Sequence, residues 1–310
     1  MTKIGNSDLD VYGLNLGGNV FGWTADEAES FAVLDAYTGA GGNFIDTADV
    51  YSAFAPGNSG GESETVLGDW LAKRGRRDDV VIATKVGSWA ERPGLSAANI
   101  KAAAEDSLRR LRTDHIDLYY VHRDKEEFPL EETLGAFDEL VRAGKVRYIA
   151  GSNYTADRLA EALSTSDREG LARFVALQPH YNLVEREYEK DLAPLVAREG
   201  LSTLPYYALA KGFLTGKYRS AETTTDSPRA QGAQAYLDER GKRVLSALDD
   251  VAATHQTSVA AVSLAWLRQQ PTVAAPIASA RNLRQLEDLI ASAELTLTDA
   301  EIRALSDASA

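Results

Sequence analysis

The sequence predicts a closed (β/α)8 barrel, the TIM-barrel class of α/β fold, and three observations carry that prediction. Short β-branched runs alternate with longer amphipathic stretches eight times along the chain, the pattern of parallel strands covered by helices. A length of 310 residues accommodates eight such units in a single domain spanning 1–310. The glycines after the first run, in Leu16-Gly17-Gly18-Asn19-Val20-Phe21-Gly22, miss the G-x-G-x-x-G spacing that an open dinucleotide-binding sheet places after its first strand.

Residues 4–10 precede the first strand and read as a small hairpin plugging the barrel floor. Strands are then expected at 12–16, 43–46, 80–84, 115–120, 146–150, 174–177, 201–205 and 273–276. The helices between them fall at 27–38, 62–72, 96–111, 130–143, 156–163, 189–198, 240–254 and 258–269, with another at 282–293 after the last strand. In the third helix Ser96 suits an N-cap, and Ile100, Ala104, Leu108 and Leu111 recur on one face. Long loops belong to the C-terminal face. The longest lies between Tyr218 and Tyr236, and its segment Thr223-Thr224-Thr225-Asp226-Ser227-Pro228 reads as a mobile loop over the mouth, since units of the same repeat flank it.

Composition narrows the function classes. With no cysteine, disulfides, thiolate catalysis and zinc–thiolate sites are excluded, which suits a reducing cytoplasm. Lys and Arg total 33 against 46 Asp and Glu, a formal charge of −13 that disfavours nucleic acid as a partner. The densest basic run, Lys73-Arg74-Gly75-Arg76-Arg77, meets Asp78 and Asp79 at once and reads as a solvated helix exit. The first residues lack the apolar stretch of a signal peptide. No window reaches the roughly 18 apolar residues of a membrane span. A cytoplasmic protein without a membrane partner is the expectation. A monomer is favoured because no unusually apolar helix face stands out.

In a barrel, polar residues at the C-terminal ends of strands are the candidates for chemistry. The second strand ends in Phe44-Ile45-Asp46-Thr47-Ala48-Asp49-Val50-Tyr51, the third in Ala83-Thr84-Lys85 and the fourth in Tyr119-Tyr120-Val121-His122. Asp46, Lys85 and His122 therefore leave three adjacent strands at one rim, with Tyr51 one short loop beyond Asp46. Reduction of a carbonyl by hydride needs a proton for the developing alkoxide, and a phenol with pKa near 10 is a poor donor at neutral pH. A neighbouring ammonium lowers that pKa, and a carboxylate holds the ammonium in place. The reading is that Tyr51 is the acid in reduction, Lys85 tunes it, Asp46 orients Lys85, and His122 positions the substrate oxygen.

Taken singly, each residue has an ordinary explanation: a strand-end Asp as a turn cap, a loop Tyr as packing, a Lys as a snorkelling strand end, a His as structure. Their convergence on adjacent strands is what carries the chemistry. Two rivals stand beside it. One is a cofactor-free barrel lyase using Lys85 as a Schiff base, which wants an apolar lysine pocket. The other is a non-catalytic or weakly catalytic cofactor-binding regulatory subunit that keeps a redox fold.

Asp46, Tyr51, Lys85 and His122 resemble the catalytic tetrad of the aldo-keto reductases, and the resemblance runs through 44–51, 83–85, 119–124, 144–154, 177–183, 204–218 and 276–287. Arg281 and Gly212-Phe213-Leu214-Thr215-Gly216-Lys217-Tyr218 resemble the bacterial general reductases and the potassium-channel β-subunit-like branch more than the aldose reductases. The resemblance implies an NAD(P)H-dependent oxidoreductase acting on aldehydes or ketones and the corresponding alcohols. It implies that Ser152, Asn153 and Gln178 bond the nicotinamide amide and that Tyr206 stacks on its ring. Leu209, Ala210, Gly212, Leu214 and Lys217 then lie along the pyrophosphate. Arg281 takes an adenosine 2′-phosphate, which favours NADP over NAD, with Ser279, Gln285 and Asp288 on the adenosine side.

The chain departs from the family at several of these positions. The aldose reductases carry a lysine where Ser279 stands and an arginine where Gln285 stands. Leu289 replaces an asparagine, Tyr207 replaces a small serine, and the usual Gly-Ala/Val-Ser-Asn run appears as Ala150-Gly151-Ser152-Asn153. These bear on the cofactor and leave the tetrad intact.

Phe21, Trp23, Phe54, Trp89 and Tyr181 are expected to line the substrate pocket, with Asn182 beside Tyr181, and the loop 55–61 to shape its rim. An aromatic rim suits aldehydes, ketones or aryl and terpenoid carbonyls more than a highly charged substrate. His180 and His255 read as supporting residues, and the four histidines show no ligand spacing, so no metal is expected.

Overall fold

The computed structural model describes residues 1–220 and 230–310. Two short antiparallel strands, β1 (Thr2–Lys3) and β2 (Asp10–Val11), form the N-terminal hairpin. Eight parallel strands follow: β3 (Asn15–Gly17), β4 (Phe44–Asp46), β5 (Val81–Val86), β6 (Ile116–Val121), β7 (Val146–Ser152), β8 (Phe174–Gln178), β9 (Ser202–Thr203) and β10 (Ile277–Ala278). They are ordered β10-β3-β4-β5-β6-β7-β8-β9. The ring closes between β9 and β10: Ala274 N donates to Thr203 O at 3.0 Å and Ile277 N to Pro205 O at 2.9 Å. This is the (β/α)8 architecture that the alternating pattern predicts.

Between the strands run α1 (Glu27–Gly39), α2 (Glu62–Arg74), α3 (Ala97–Leu111), α4 (Leu130–Arg142), α5 (Ala156–Glu169) and α6 (Tyr188–Arg198). After β9 come a 3-10 turn (Ala210–Thr215), α7 (Ala230–Gln234), α8 (Glu239–His255) and α9 (Val259–Arg268). α10 (Leu283–Glu294) and α11 (Asp299–Ala308) complete the chain. Ser96 does cap α3, accepting from Asn99 N. The basic run at the exit of α2 is neutralised by Arg74–Asp79 and Arg77–Asp117 pairs. The loop segment from Thr223 to Pro228 lies outside the described residues.

Two strand starts and the C-terminal helix differ from the sequence expectation. Pairing to β3 begins at Ile277 rather than within 273–276, because Pro276 has no N–H and contributes only its carbonyl, to Asn15 N at 2.9 Å. The first strand likewise pairs only from Asn15. Helix α11 is absent from the sequence reading, although Thr298-x-x-Glu301 forms a reciprocal capping box there.

Side-chain alternation sorts the core into two layers. Phe44, Val81, Ala83, Leu118, Tyr120, Ala150, Ala176, Leu204 and Ile277 fill the barrel interior together with Ile4, Leu9 and Val11 of the hairpin segment. Ile45, Ile82, Tyr119, Val121, Ile149 and Leu177 face the helices instead. Because the side-chain period of a strand is two, the inward parity of Phe44 passes to Asp46 and that of Ala83 to Lys85. By the same rule Tyr120 passes it to His122, Ala150 to Ser152 and Ala176 to Gln178. The apolar plug below thus decides which polar residues meet above.

Candidate active site

At the C-terminal ends of β4 and β5 the inward residues are fully buried and tightly joined. Lys85 Nζ lies 2.5 Å from Asp46 Oδ2, 2.7 Å from the Thr47 carbonyl and 3.0 Å from the Tyr51 hydroxyl. An ammonium has three protons, and these three acceptors match them. The Tyr51 oxygen therefore accepts from Lys85, and its own hydrogen points toward Asp46 Oδ2 at 3.4 Å or into the cavity that Tyr51 lines. Gln178 Nε2 donates to the other oxygen of Asp46 at 2.9 Å.

The electrostatics correct one part of the sequence reading. Burial, then the Asp46 carboxylate, push the Tyr51 phenol well above its ordinary value rather than below it. Lys85 itself is shifted down by burial, against the opposing pull of Asp46. Its charge is spent on Asp46, so in this state Tyr51 keeps its proton. His122 packs edge-on to the Tyr51 ring with centroids 6.0 Å apart. Burial, then the charges of Lys85 and Arg123, push its imidazole down to about 3. It is neutral, and its Nδ1 is buried with no hydrogen-bond partner among the described residues.

These groups sit at one end of an elongated cavity of about 650 Å3 that runs across the strand ends to the start of α10. Along its wall the amide of Asn153 is already engaged: Nδ2 donates to His122 O at 2.9 Å and to Ser152 Oγ at 3.0 Å, and Oδ1 accepts from the Tyr206 hydroxyl at 2.8 Å. Ser152 Oγ donates to Gln178 O. The Tyr206 ring lines the cavity and has His180 stacked against it, centroids 5.3 Å apart. His180 is thus a support, as its sequence context suggests.

Leu209, Gly212 and Lys217 also line the cavity, whereas Leu214 is fully buried in the core, its carbonyl accepting from Ser263. At the far end Ser279, Arg281, Gln285 and Asp288 all reach the wall. Ser279 donates to Asn19, and Gln285 Oε1 accepts from Arg281 N across the Asn282 cap of α10.

Of the expected substrate-pocket aromatics, Trp23 and Phe54 line the cavity as an edge-to-face pair 4.6 Å apart. The other three do not. Phe21 is completely buried in the core. Tyr181 packs on Tyr188 and Trp266 and donates to Glu189. Trp89 lies under the Arg110 guanidinium and against Gly60, where it backs the loop 55–61 instead of facing the cavity. That loop is tied down by Asn58 to Gly22 O and by the Glu62 carboxylate to the Ser59 and Gly60 amides. Among the described residues no group of three His, Asp or Glu side chains is arranged to hold a metal ion, and no helix is long and apolar enough to cross a membrane.

A family model for the aldo/keto reductases matches residues 13–310. The chain belongs to the aldo/keto reductase family. It is 35% identical to Protein tas of Escherichia coli (strain K12), covering 98% of this chain and 96% of that one. It is 34% identical to the uncharacterized oxidoreductase YrpG of Bacillus subtilis, over 99% and 94%. It is also 31% identical to norsolorinic acid reductase of Aspergillus flavus, over 91% of this chain and 72% of the relative. As a family member it is an oxidoreductase of the nicotinamide-dependent, carbonyl-reducing kind, and it resembles the bacterial relatives Protein tas and YrpG over almost its whole length.

Within this aldo/keto reductase site the sequence reading passed over several wall residues. Arg123, Lys211 and Arg284 line the cavity, as does Tyr207, which the sequence marks only as a replacement for a small serine. Arg284 had a legible signal, since it follows Arg281 by nearly one turn at the start of the same helix. Arg123 had one too: it stands next to His122 at a strand end.

Proposed function

We propose that the chain reduces aldehydes and ketones with NADPH, Tyr51 acting as the general acid. The observation that carries this reading is the three-way contact of Lys85 with Asp46, Thr47 and Tyr51. When bound, the nicotinamide supplies the hydride. Tyr51 gives its proton to the carbonyl oxygen, and the ammonium already bonded to its oxygen takes up the resulting phenolate charge. Asp46 keeps Lys85 charged and aimed. His122, being neutral, serves as a hydrogen-bond donor at the substrate oxygen rather than as an acid. The phenol needs no lowered pKa before substrate arrives; it needs the ammonium at the moment the proton leaves.

The cavity wall suits the cofactor. Tyr206 is a flat ring braced from behind by His180 and by its hydroxyl bond to Asn153, ready to hold the nicotinamide ring. Ser152, Gln178 and the Asn153 backbone region offer carboxamide partners. Leu209, Gly212 and Lys217 lie where a pyrophosphate would pass, with Leu214 supporting that turn from the core. The guanidinium groups of Arg281 and Arg284 make no ion pair or hydrogen bond among the described residues, and they stand at the N-terminus of α10. That arrangement fits a 2′-phosphate and favours NADPH. The same reading keeps residues 1–310 as one domain and the chain as a monomer.

A lyase working through a Lys85 Schiff base would need a free amine lone pair, and Lys85 is surrounded by three acceptors. The decisive experiment combines NADPH fluorescence titration with turnover of an aldehyde and ketone panel by wild type and Tyr51→Phe. We expect both to bind NADPH and the variant to lose about 10²- to 10⁴-fold in hydride transfer. Wild-type turnover by Tyr51→Phe would refute the acid, and bound cofactor without any turnover in wild type would favour a regulatory subunit.

A further inference from the structure

Most arginines are paired among the described residues. Among the described residues, the guanidinium groups that make no ion pair, hydrogen bond or ring contact are Arg123, Arg281, Arg284 and Arg303. Arg123, Arg284 and Arg303 are all exposed to solvent; Arg303 is on the outer surface of α11, whereas Arg123, Arg281 and Arg284 line the mouth of one cavity. Arg281 and Arg284 stand together at the adenosine end and are accounted for by the cofactor reading. Arg123 stands at the opposite, reactive end, next in sequence to His122, where its charge reaches both His122 and Tyr206.

Among the described residues nothing local neutralises it. The adjacent carboxylate, Asp124, is taken by Arg158 at 3.0 Å, and Arg158 turns a second nitrogen to Glu161. The acidic residues on the cavity wall are Asp46, bonded to Lys85 and Gln178, and Asp288 at the far end. In a chain of net charge −13, a cation without an ion pair among the described residues, exposed at a concave wall beside the reacting groups, is a prepared anion partner. A guanidinium offers a planar two-pronged donor that matches a carboxylate. The same end carries the Trp23–Phe54 edge-to-face pair, an apolar surface for the body of the molecule.

We propose that the substrates are carbonyl compounds with an aromatic or apolar body and a single carboxylate, and that Arg123 binds the carboxylate. This rests on the reductase reading of the same cavity. It narrows the neutral aryl and aliphatic carbonyls that an aromatic rim alone would suggest.

The test pairs 4-carboxybenzaldehyde with its methyl ester, which keeps the ring and the aldehyde and removes the charge. In wild-type enzyme with NADPH, kcat/KM should favour the acid by about 10- to 100-fold, and the preference should shrink as salt is raised. In Arg123→Gln the acid-to-ester ratio should fall toward one, and Arg123→Lys should restore part of it. An independent calorimetric arm measures 4-(hydroxymethyl)benzoate against 4-(hydroxymethyl)benzamide on the NADP-loaded protein. Tighter binding of the benzoate, lost in Arg123→Gln, supports the anion site even if no aldehyde is turned over, a result that would sink the reductase reading alone. Turnover of both aldehydes with equal efficiency, and equal binding of the two alcohols, would overturn the anion site and leave the reductase standing. A fall in NADPH affinity in Arg123→Gln, with the acid preference intact, would assign Arg123 to the cofactor and also overturn it.

Discussion

Gln178 donates its side-chain amide to Asp46 Oδ1 at 2.9 Å, while Asp46 Oδ2 holds Lys85. The two residues lie 132 positions apart in sequence, on strands β8 and β4, and meet because both carry inward parity at the ends of their strands. The carboxylate at the centre of the site is therefore gripped on both oxygens. Gln178, expected only as a cofactor contact, is also a brace for the residue that aims Lys85.

Replacing Gln178 by Met keeps the volume and strands Asp46 Oδ1 in a buried setting. A buried acceptor without a partner costs about 1–3 kcal/mol. The denaturant midpoint should fall with an unchanged slope, and turnover should fall with it. An unaltered midpoint would show that Asp46 finds another donor.

His122 is held neutral down to about 3, chiefly by burial. Its folded value lies below the ordinary 6.5, so its contribution to stability is present above about pH 6.5 and is lost as pH falls toward about 3. Over the working range kcat/KM for reduction should show no inflection belonging to this imidazole. An inflection near pH 6.5 that vanishes in His122→Asn would contradict a neutral donor.

Asp49 is almost wholly buried, and neither of its carboxylate oxygens has a partner among the described residues. Burial, then the neighbouring Glu64, push it up to about 7. Here the sign is opposite: the stability that comes from keeping Asp49 neutral is full below about pH 3.8 and is lost as pH rises through about 7. Asp49→Asn removes that dependence. Its advantage over wild type in urea unfolding should grow between about pH 4 and about pH 7, reaching on the order of 4 kcal/mol. A difference that stays flat with pH would mean the carboxylate is ionised throughout.

Arg281→Met should weaken NADPH by about 10- to 100-fold, the scale of a charge-assisted hydrogen bond, with a smaller effect on NADH. Fluorescence titration of both cofactors reads this directly. Equal weakening of the two would take the phosphate away from Arg281.

The barrel was legible because the signals that define it are local and repeated. Strand runs such as Val81–Val86 and the Ser96 cap announce themselves within a few residues. The convergence of Asp46, Lys85 and Tyr51 was also legible, since parity within short strands fixes which side chains share the interior. Sequence could not weigh burial against charge, and so it expected Lys85 to lower the Tyr51 phenol when desolvation and Asp46 raise it. Phe21, Trp89 and Tyr181 show a second limit. An aromatic beyond a strand end can turn toward the core, toward a loop or toward the cavity, and only the packing of distant helices decides which. Arg123 shows a third: an unpaired cation is visible only once the partners of all the others have been seen.

The hairpin segment contributes Ile4, Leu9 and Val11 to an apolar stopper beneath Phe44, Val81 and Leu118. These buried side chains fill the barrel interior below the Lys85 ammonium, and an apolar filling of this kind is expected to keep water from reaching it from below. On the proposed mechanism, proton traffic at the site is then expected to be one-sided: whatever recharges Tyr51 after it gives up its proton would arrive from the mouth, over the same ground the substrate and product use. Refilling the acid and emptying the pocket then become a single event. In heavy water, the solvent isotope effect would report on product departure as much as on the chemistry itself.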